Sequence, residues 1–308
     1  MKTNDRQIAD LMNSIQCGKI QLPDFQRGWV WDDNRIKALI ASITNGYPVG
    51  AAMFLEYGNS SIHFKYRVIE GSPSVDKIPD ELILDGQQRL TSVYTSLFSE
   101  NAVNTRTDKG QAIKRFYYID MEKAIDKNID RMDAIVSVPE NRIRTSDFGR
   151  QIDIDLSTSA KEYEKKMFPL NIILSPEKYN KWQMAYMQYY NYDAEAAKLC
   201  MDFVSKVIVP VGKYTIPVIS LDKDTPKEAV CQVFENVNTG GVSLTVFELV
   251  TAVFAMDNFE LRKDWDNRKA KYFSGDLLSI ITATDFLTAC TLLSSYKKGG
   301  TVSCKKKG

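Results

Sequence analysis

Apolar residues recur at helical spacing between Asp5 and Cys17, where Ile8, Leu11, Met12 and Ile15 share one face and Gly18 follows as a stop. Ile20 to Leu22 reads as a short strand ending at Pro23. A second helix is predicted over Asp32 to Thr44, with Ile36, Leu39, Ile40 and Ile43 inward and Asn45-Gly46 as its terminator. Val49 to Glu56 is apolar and strand-like, and Ile62 to Ile69 alternates as another strand that holds His63 half exposed. Glu81-Leu82-Ile83-Leu84 is a short buried strand that runs straight into Asp85-Gly86. Helical spacing then resumes from Gln87 to Phe98, with Leu90, Val93, Tyr94 and Leu97 inward. Phe116 to Ile119 reads as a further strand.

The pattern weakens from about Met121 to Lys213, a polar, tyrosine-rich stretch with helices predicted at Pro176 to Tyr190 and Asp193 to Val207. Tyr214 to Leu221 is strand-like again. Thr225-Pro226-Lys227-Glu228 has the residue order of a helix start, with Thr as cap, Pro at the first position and Glu three after the cap. That helix is expected to reach Val237, where Asn238-Thr239-Gly240-Gly241 breaks it. Thr245 and Glu248 have capping-box spacing and open another helix through Met256. The remainder is helical in character to Tyr296 and ends in lysines, which reads as a cut inside a longer protein. The expected organisation is α+β: a core over 1–120, a mostly helical insertion over 121–213, a return to the core over 214–256 and a helical C-terminal segment over 257–308.

Composition narrows the chemistry. With 308 residues, 44% hydrophobic and 26% charged, the chain can bury a core without disulfides or metal. A net charge of +1 demands no polyanionic partner, although charge can segregate locally. The five cysteines, Cys17, Cys200, Cys231, Cys290 and Cys304, include no C-x-x-C pair, which argues against zinc and against a disulfide framework and fits reduced thiols. No signal-peptide core and no membrane-length apolar run is present, so a soluble, cytoplasmic protein without a membrane partner is expected. The single histidine, His63, removes His-Cys zinc sites, His-metal nuclease motifs and two-histidine relays, and argues against a Ser-His-Asp set.

Three segments carry candidate chemistry. In the first, Asp85-Gly86-Gln87-Gln88-Arg89, a buried strand stops, glycine turns the chain and a helix begins at once. The unsatisfied N–H groups and positive dipole of a helix start attract an anion. Gly86 would let a phosphate approach the backbone, and Arg89, one turn in, offers a guanidinium fork. Asp85 stands where it would hold a magnesium ion or orient water, and Gln87 and Gln88 where they would contact base, sugar or attacking water. The alternative is that Asp85 caps the helix and Arg89 is a solvated charge. The second segment is Gln21 to Trp31, where Gln26 and Arg27 supply an amide and a second fork; Trp29 and Trp31 either stack on a base or pack in the core. The third is Phe234 to Leu244, where Gly240-Gly241 would form an anion-binding nest beside Asn238, or would simply turn one helix into the next with Glu248 in a capping box.

Together these segments resemble the N-terminal domain of GmrSD-type, modification-dependent restriction enzymes. The resemblance rests on Leu22-Pro23-Asp24-Phe25-Gln26-Arg27 with Val30-Trp31, on Ser42-Ile43 with Gly46-Tyr47-Pro48-Val49-Gly50, on Asp85 to Thr91, and on Asn238-Thr239-Gly240-Gly241 with Leu244 and Glu248. It implies a core similar to the ParB and sulfiredoxin fold, a small mixed sheet flanked by helices, binding a nucleoside triphosphate with Mg2+. It implies a catalytic set of Asp85, Gln87, Gln88 and Arg89, with Asp85 toward the metal, and a nucleotide lined by Gln26, Arg27, Gly86, Thr91, Asn238, Gly240 and Gly241. Family members couple nucleotide hydrolysis to cutting or blocking modified phage DNA, so DNA is an expected partner through a fuller protein or a separate nuclease. Self-association is left open. Many members carry a nuclease domain with a His-Asn-His motif; one histidine does not supply it, and this chain is not expected to cut DNA itself. A non-catalytic, nucleotide-gated DNA-binding module is the competing expectation.

Overall fold

A computed structural model of the chain describes residues 2–58, 64–147, 150–226, 229–230, 232–233, 246–256, 259–275 and 278–298. Contacts divide the chain into two units: Met1–Leu22, Gly28–Tyr57 and Tyr66–Asp222 form the first, and Pro23–Arg27, Gly58–Lys65 and Lys223–Gly308 the second.

The first unit is built on a mixed six-stranded sheet. Its strands are β1 (Lys2–Gln7), β2 (Ile20–Pro23), β3 (Ala52–Glu56), β4 (Tyr66–Arg67), β5 (Glu81–Asp85) and β12 (Thr215–Leu221), in the order β1-β12-β3-β5-β2-β4. β12 brings the chain back into this sheet, antiparallel to β1 and parallel to β3. β5 lies in the interior of the sheet, antiparallel to β3 and parallel to β2. Three helices bury their apolar faces in one core: α1 (Ile8–Gln16) with Ile8, Leu11, Met12 and Ile15, α2 (Asp33–Thr44) with Ile36, Leu39, Ile40 and Ile43, and α3 (Gln87–Leu97) with Leu90, Val93, Tyr94 and Leu97. Full burial of each aliphatic side chain is worth about 1.5–3 kcal/mol, so these stripes hold the helices down more firmly than propensity does. Asp32 caps α2, its carboxylate accepting from the Arg35 N–H at 2.9 Å.

The helix expected from Asp5 starts instead at Ile8. The residues before it are polar, and Lys2–Gln7 satisfy their backbone by pairing with β12 as a strand. β3 likewise begins at Ala52 and not at Val49, because a side chain described below takes the carbonyls of Val49 and Ala51. The strand expected over Ile62 to Ile69 is confined to Tyr66–Arg67 among the described residues, and His63 lies outside them.

A second sheet is organised around β7 (Ala112–Asp120), which pairs with β6 (Val103–Arg106), β8 (Ile135–Pro139) and β11 (Met167–Pro169); β9 (Ile143–Ser146) and β10 (Gln151–Asp155) form a hairpin. Residues 121–213 also supply helices Pro176–Tyr189 and Ala194–Phe203, close to where the spacing puts them. Glu162, 3% exposed, accepts hydrogen bonds from the Tyr118 hydroxyl at 2.9 Å and the Trp182 indole N–H at 3.0 Å, and faces Arg142 at 3.7 Å. Around it, Tyr163, Phe168, Trp182 and Tyr186 pack ring against ring, so the aromatic stretch ahead of Tyr192 begins in the core.

The second unit holds helices Val246–Met256, Leu261–Tyr272 and Ala283–Lys297 around Phe247, Leu261 and Trp265. A capping box of Thr282 and Asp285 starts the last of them. No helix among the described residues is long and apolar enough to cross a membrane.

Candidate functional site

The strand-to-helix turn expected at Asp85 to Arg89 forms as read. β5 ends at Asp85, Gly86 adopts φ +90°, and α3 starts at Gln87 with Gly86 at the N-cap position, where it has no side chain to offer. Only glycine enters this left-handed region freely. A Cβ at Gly86 would also lie 3.3 Å from the Ala52 Cβ, tighter than ordinary packing. Burial of Leu82, Ile83 and Leu84 fixes the strand, and burial of Leu90 and Val93 fixes the helix, so the turn between them is held from both sides.

The polar side chains of the turn act mainly as clamps on two neighbouring stretches of backbone. Arg89 Nη1 donates to the Val49 carbonyl at 2.7 Å, and Nη2 donates to the Ala51 carbonyl at 2.8 Å and to Asp85 Oδ2 at 3.1 Å. The side chains of Arg89 and Asp85 remain 22% and 33% exposed. Gln88 uses both ends of its amide: Oε1 accepts from the Val30 N–H at 2.9 Å, and Nε2 donates to the Gly28 carbonyl at 3.2 Å. Arg89 therefore fastens the loop that leads into β3, and Gln88 fastens Gly28–Val30.

Further residues secure the same two stretches. Glu70 Oε1 accepts from the Trp29 N–H at 3.0 Å and from Arg67 at 3.2 Å. The Trp29 indole N–H donates to Ser92 Oγ at 3.0 Å, Thr105 Oγ1 donates to the Trp31 carbonyl at 2.8 Å, and Arg106 donates to the Val30 carbonyl. On the other side the Tyr214 hydroxyl donates to the Tyr47 carbonyl at 2.6 Å. Glu70, Ser92, Arg106 and Tyr214 escaped the sequence reading. Their partners are mostly backbone groups far along the chain, and nothing in residue type or spacing marks such pairs.

Asp85, Gly86, Gln87, Gln88, Arg89 and Thr91 are thus together at the end of β5. Gln87 is buried at 9% exposure and Thr91 at 0%, and the Thr91 hydroxyl has no hydrogen-bond partner among the described residues. Trp29 and Trp31 pack against the core of the first unit. Gln26 and Arg27 belong to the second unit, since the chain leaves the first after Leu22 and rejoins it at Gly28. There the Phe25 carbonyl accepts from Arg262 at 3.2 Å, and the Phe25 and Phe64 rings are 4.9 Å apart. Asn238, Gly240 and Gly241 lie outside the described residues.

Asp85 Oδ1 carries no hydrogen bond among the described residues, while Oδ2 meets Arg89. No three His, Cys, Asp or Glu side chains among the described residues gather as metal ligands. The turn is suited to an anion at the helix start with one carboxylate beside it, and to a magnesium ion only as a companion of phosphate, since that ion is commonly held by one or two carboxylates plus substrate oxygens.

An uncharacterised protein of Methanocaldococcus jannaschii is 25% identical over 300 residues, covering 93% of this chain and 48% of that protein. The chain thus spans about half the length of this curated relative. The model of the GmrSD restriction endonuclease N-terminal domain matches residues 8–255, a stretch that contains the second sheet, all of the first but β1, the clamped turn and the Pro23–Arg27 segment. By that match the chain belongs to the GmrSD restriction endonuclease N-terminal domain family.

Proposed function

We propose that this chain is the nucleoside-triphosphate-binding and hydrolysing module of a modification-dependent restriction system that acts against phage DNA in the cytoplasm. The observation that carries the reading is the start of α3 directly behind a left-handed Gly86, which brings no side chain to the helix end, with Asp85 partly exposed beside it. A helix start of this kind presents backbone N–H groups and a positive dipole end to phosphate. Asp85 Oδ1 would take the magnesium ion that accompanies the triphosphate, and Gln88, its amide held by the Val30 N–H and the Gly28 carbonyl, would shape the wall of the site. Arg89 is a positioning residue in this scheme: its donors shape the loop over the turn by holding the Val49 and Ala51 carbonyls. DNA recognition and cutting belong to a fuller protein or a partner nuclease.

The same observation on Arg89 favours a second reading, in which nucleotide binds without turnover and gates a DNA-binding surface. A guanidinium committed to two carbonyls and a carboxylate is poorly placed to stabilise charge on a transferring phosphoryl group. Magnesium-dependent release of phosphate from each nucleoside triphosphate, measured beside a melting series, separates the two. Hydrolysis predicts turnover that Asp85→Asn abolishes while its melting temperature stays near wild type, because the partly exposed ion pair with Arg89 contributes about 0–1 kcal/mol. Nucleotide-dependent stabilisation without phosphate release assigns the gating role, and neither effect refutes both.

A further inference from the structure

In the first unit a second site stands out, built from the loop that Arg89 clamps and the segment after β7. It is a cavity of about 470 Å³ lined by Tyr47, Ile125, Lys127, Ile129, Arg131 and Lys206, within the size range of small-ligand pockets. Arg131 Nε donates to Asn45 Oδ1 at 3.0 Å, but Nη1 is buried and has no hydrogen-bond partner among the described residues. A buried guanidinium nitrogen left without an acceptor is costly, so such groups are normally matched by one. Asp126 and Asp130 also border the cavity, yet each carboxylate is turned to its own chain: Asp126 Oδ1 accepts from the Asn128 N–H and side-chain amide, and Asp130 Oδ1 accepts from the Met132 N–H. Lys127 has no ion-pair partner among the described residues, and Lys206 reaches Asp202 only at 4.0 Å. Three cations and two carboxylates therefore border the space, leaving the cations in excess by one, and one oxygen of each carboxylate is already bonded to its own stretch of chain.

The remaining wall is apolar and open to a ligand. Tyr47 is 61% exposed and Ile129 is 36% exposed, both beside the cations. We infer that this cavity binds a phosphate-bearing ligand, with Arg131, Lys127 and Lys206 meeting the phosphate and Tyr47 facing the group that carries it. Because Tyr47 stands on the same short loop as Val49 and Ala51, occupancy here bears on the loop that Arg89 holds at the Asp85 turn. The inference does not depend on nucleotide binding at that turn.

Hydrogen exchange of the full chain with inorganic pyrophosphate, at ionic strength matched with sodium chloride, tests it locally. Pyrophosphate should slow exchange across residues 121–134 in wild type, and Arg131→Gln should weaken its apparent affinity at this segment at least tenfold. Lys127→Ala with Lys206→Ala, both at exposed positions, should weaken it severalfold without disturbing the fold. Asp85→Asn should leave the protection in place, which separates this site from the proposed nucleotide site. A short single-stranded oligonucleotide, run in parallel, distinguishes the source: equal protection points to a nucleic-acid backbone, and protection by pyrophosphate alone to a free anion. If residues 121–134 exchange at the same rate with and without either probe, or if both the Arg131→Gln and the double lysine variants keep full protection, the inference is overturned.

Discussion

Replacing Gly50 by alanine probes the Arg89 clamp directly. Gly50 adopts φ +90°, and a Cβ there would lie 2.4 Å from Arg89 Nη1 and 3.4 Å from its Cζ. A long side chain ordinarily swings away from such a clash. This one is held by the Val49 and Ala51 carbonyls at 2.7 and 2.8 Å, so movement gives up both bonds. Hydrogen bonds to a charged group contribute about 1.5–3 kcal/mol each, and partial exposure places these toward the low end. The left-handed backbone adds about 1–2 kcal/mol for a residue with a Cβ. Gly50→Ala should then destabilise the protein by about 3–5 kcal/mol. Gly46→Ala is the control: φ there is +72°, and nothing lies within 4 Å of the added Cβ, so only the backbone cost of about 1–2 kcal/mol remains. Urea denaturation followed by tryptophan fluorescence measures each variant. Combining Gly50→Ala with Arg89→Ala should bring the cost of the glycine change down to that of Gly46→Ala, a coupling of about 2 kcal/mol, large for a pair in contact. Equal costs for Gly50→Ala and Gly46→Ala in the wild-type background would show that Arg89 is not clamping this loop.

Glu162 gives a pH signature. Burial raises its carboxyl above the ordinary value, against opposing pulls from Trp182, Tyr118 and Arg142. A raised folded-state pKa means a stability contribution that is full below the unfolded value of about 4.3 and is lost as pH rises through the folded value. The stability of wild type relative to Glu162→Gln should fall between pH 4 and pH 7 in urea titrations; a difference that holds constant or grows would contradict the burial argument. Cys200 is buried, which pushes its thiol up to about 11, leaving on the order of one thiolate in a thousand at pH 8. Peptide mapping after iodoacetamide treatment at that pH should find the exposed Cys17 and Cys290 modified and Cys200 intact until urea is added.

Elements with strong periodicity were legible from the chain. The stripes Ile36-Leu39-Ile40-Ile43 and Leu90-Val93-Tyr94-Leu97 gave α2 and α3 to within a residue or two, because each must bury a continuous apolar face. The turn at Asp85-Gly86 was equally visible, since a buried strand followed by glycine and a helix leaves few alternatives. Strands β9 and β10 were not. Most of their residues are exposed, and what holds them is backbone pairing with each other, which leaves no hydrophobic signal. Likewise Lys2–Gln7 is polar throughout, and its strand exists because β12 offers it a partner more than two hundred residues away. At the site, residue types announced the strand-to-helix turn, but not that Gln88 and Arg89 would turn to the carbonyls and N–H groups of Gly28, Val30, Val49 and Ala51. Backbone acceptors look alike in every sequence, so clamps of this sort emerge only with the fold.

The pairing of Lys2–Gln7 with Thr215–Leu221 makes the start of the chain a shield. Were those six residues shaved off, the row of backbone donors and acceptors along one flank of Thr215–Leu221 would face solvent, with Ile216 and Val218 still supplying a strand-favouring surface. Molecules trimmed in this way would be prone to zip together rim to rim, and the Arg6 to Glu81 ion pair that moors the leading strand across the sheet would go with it.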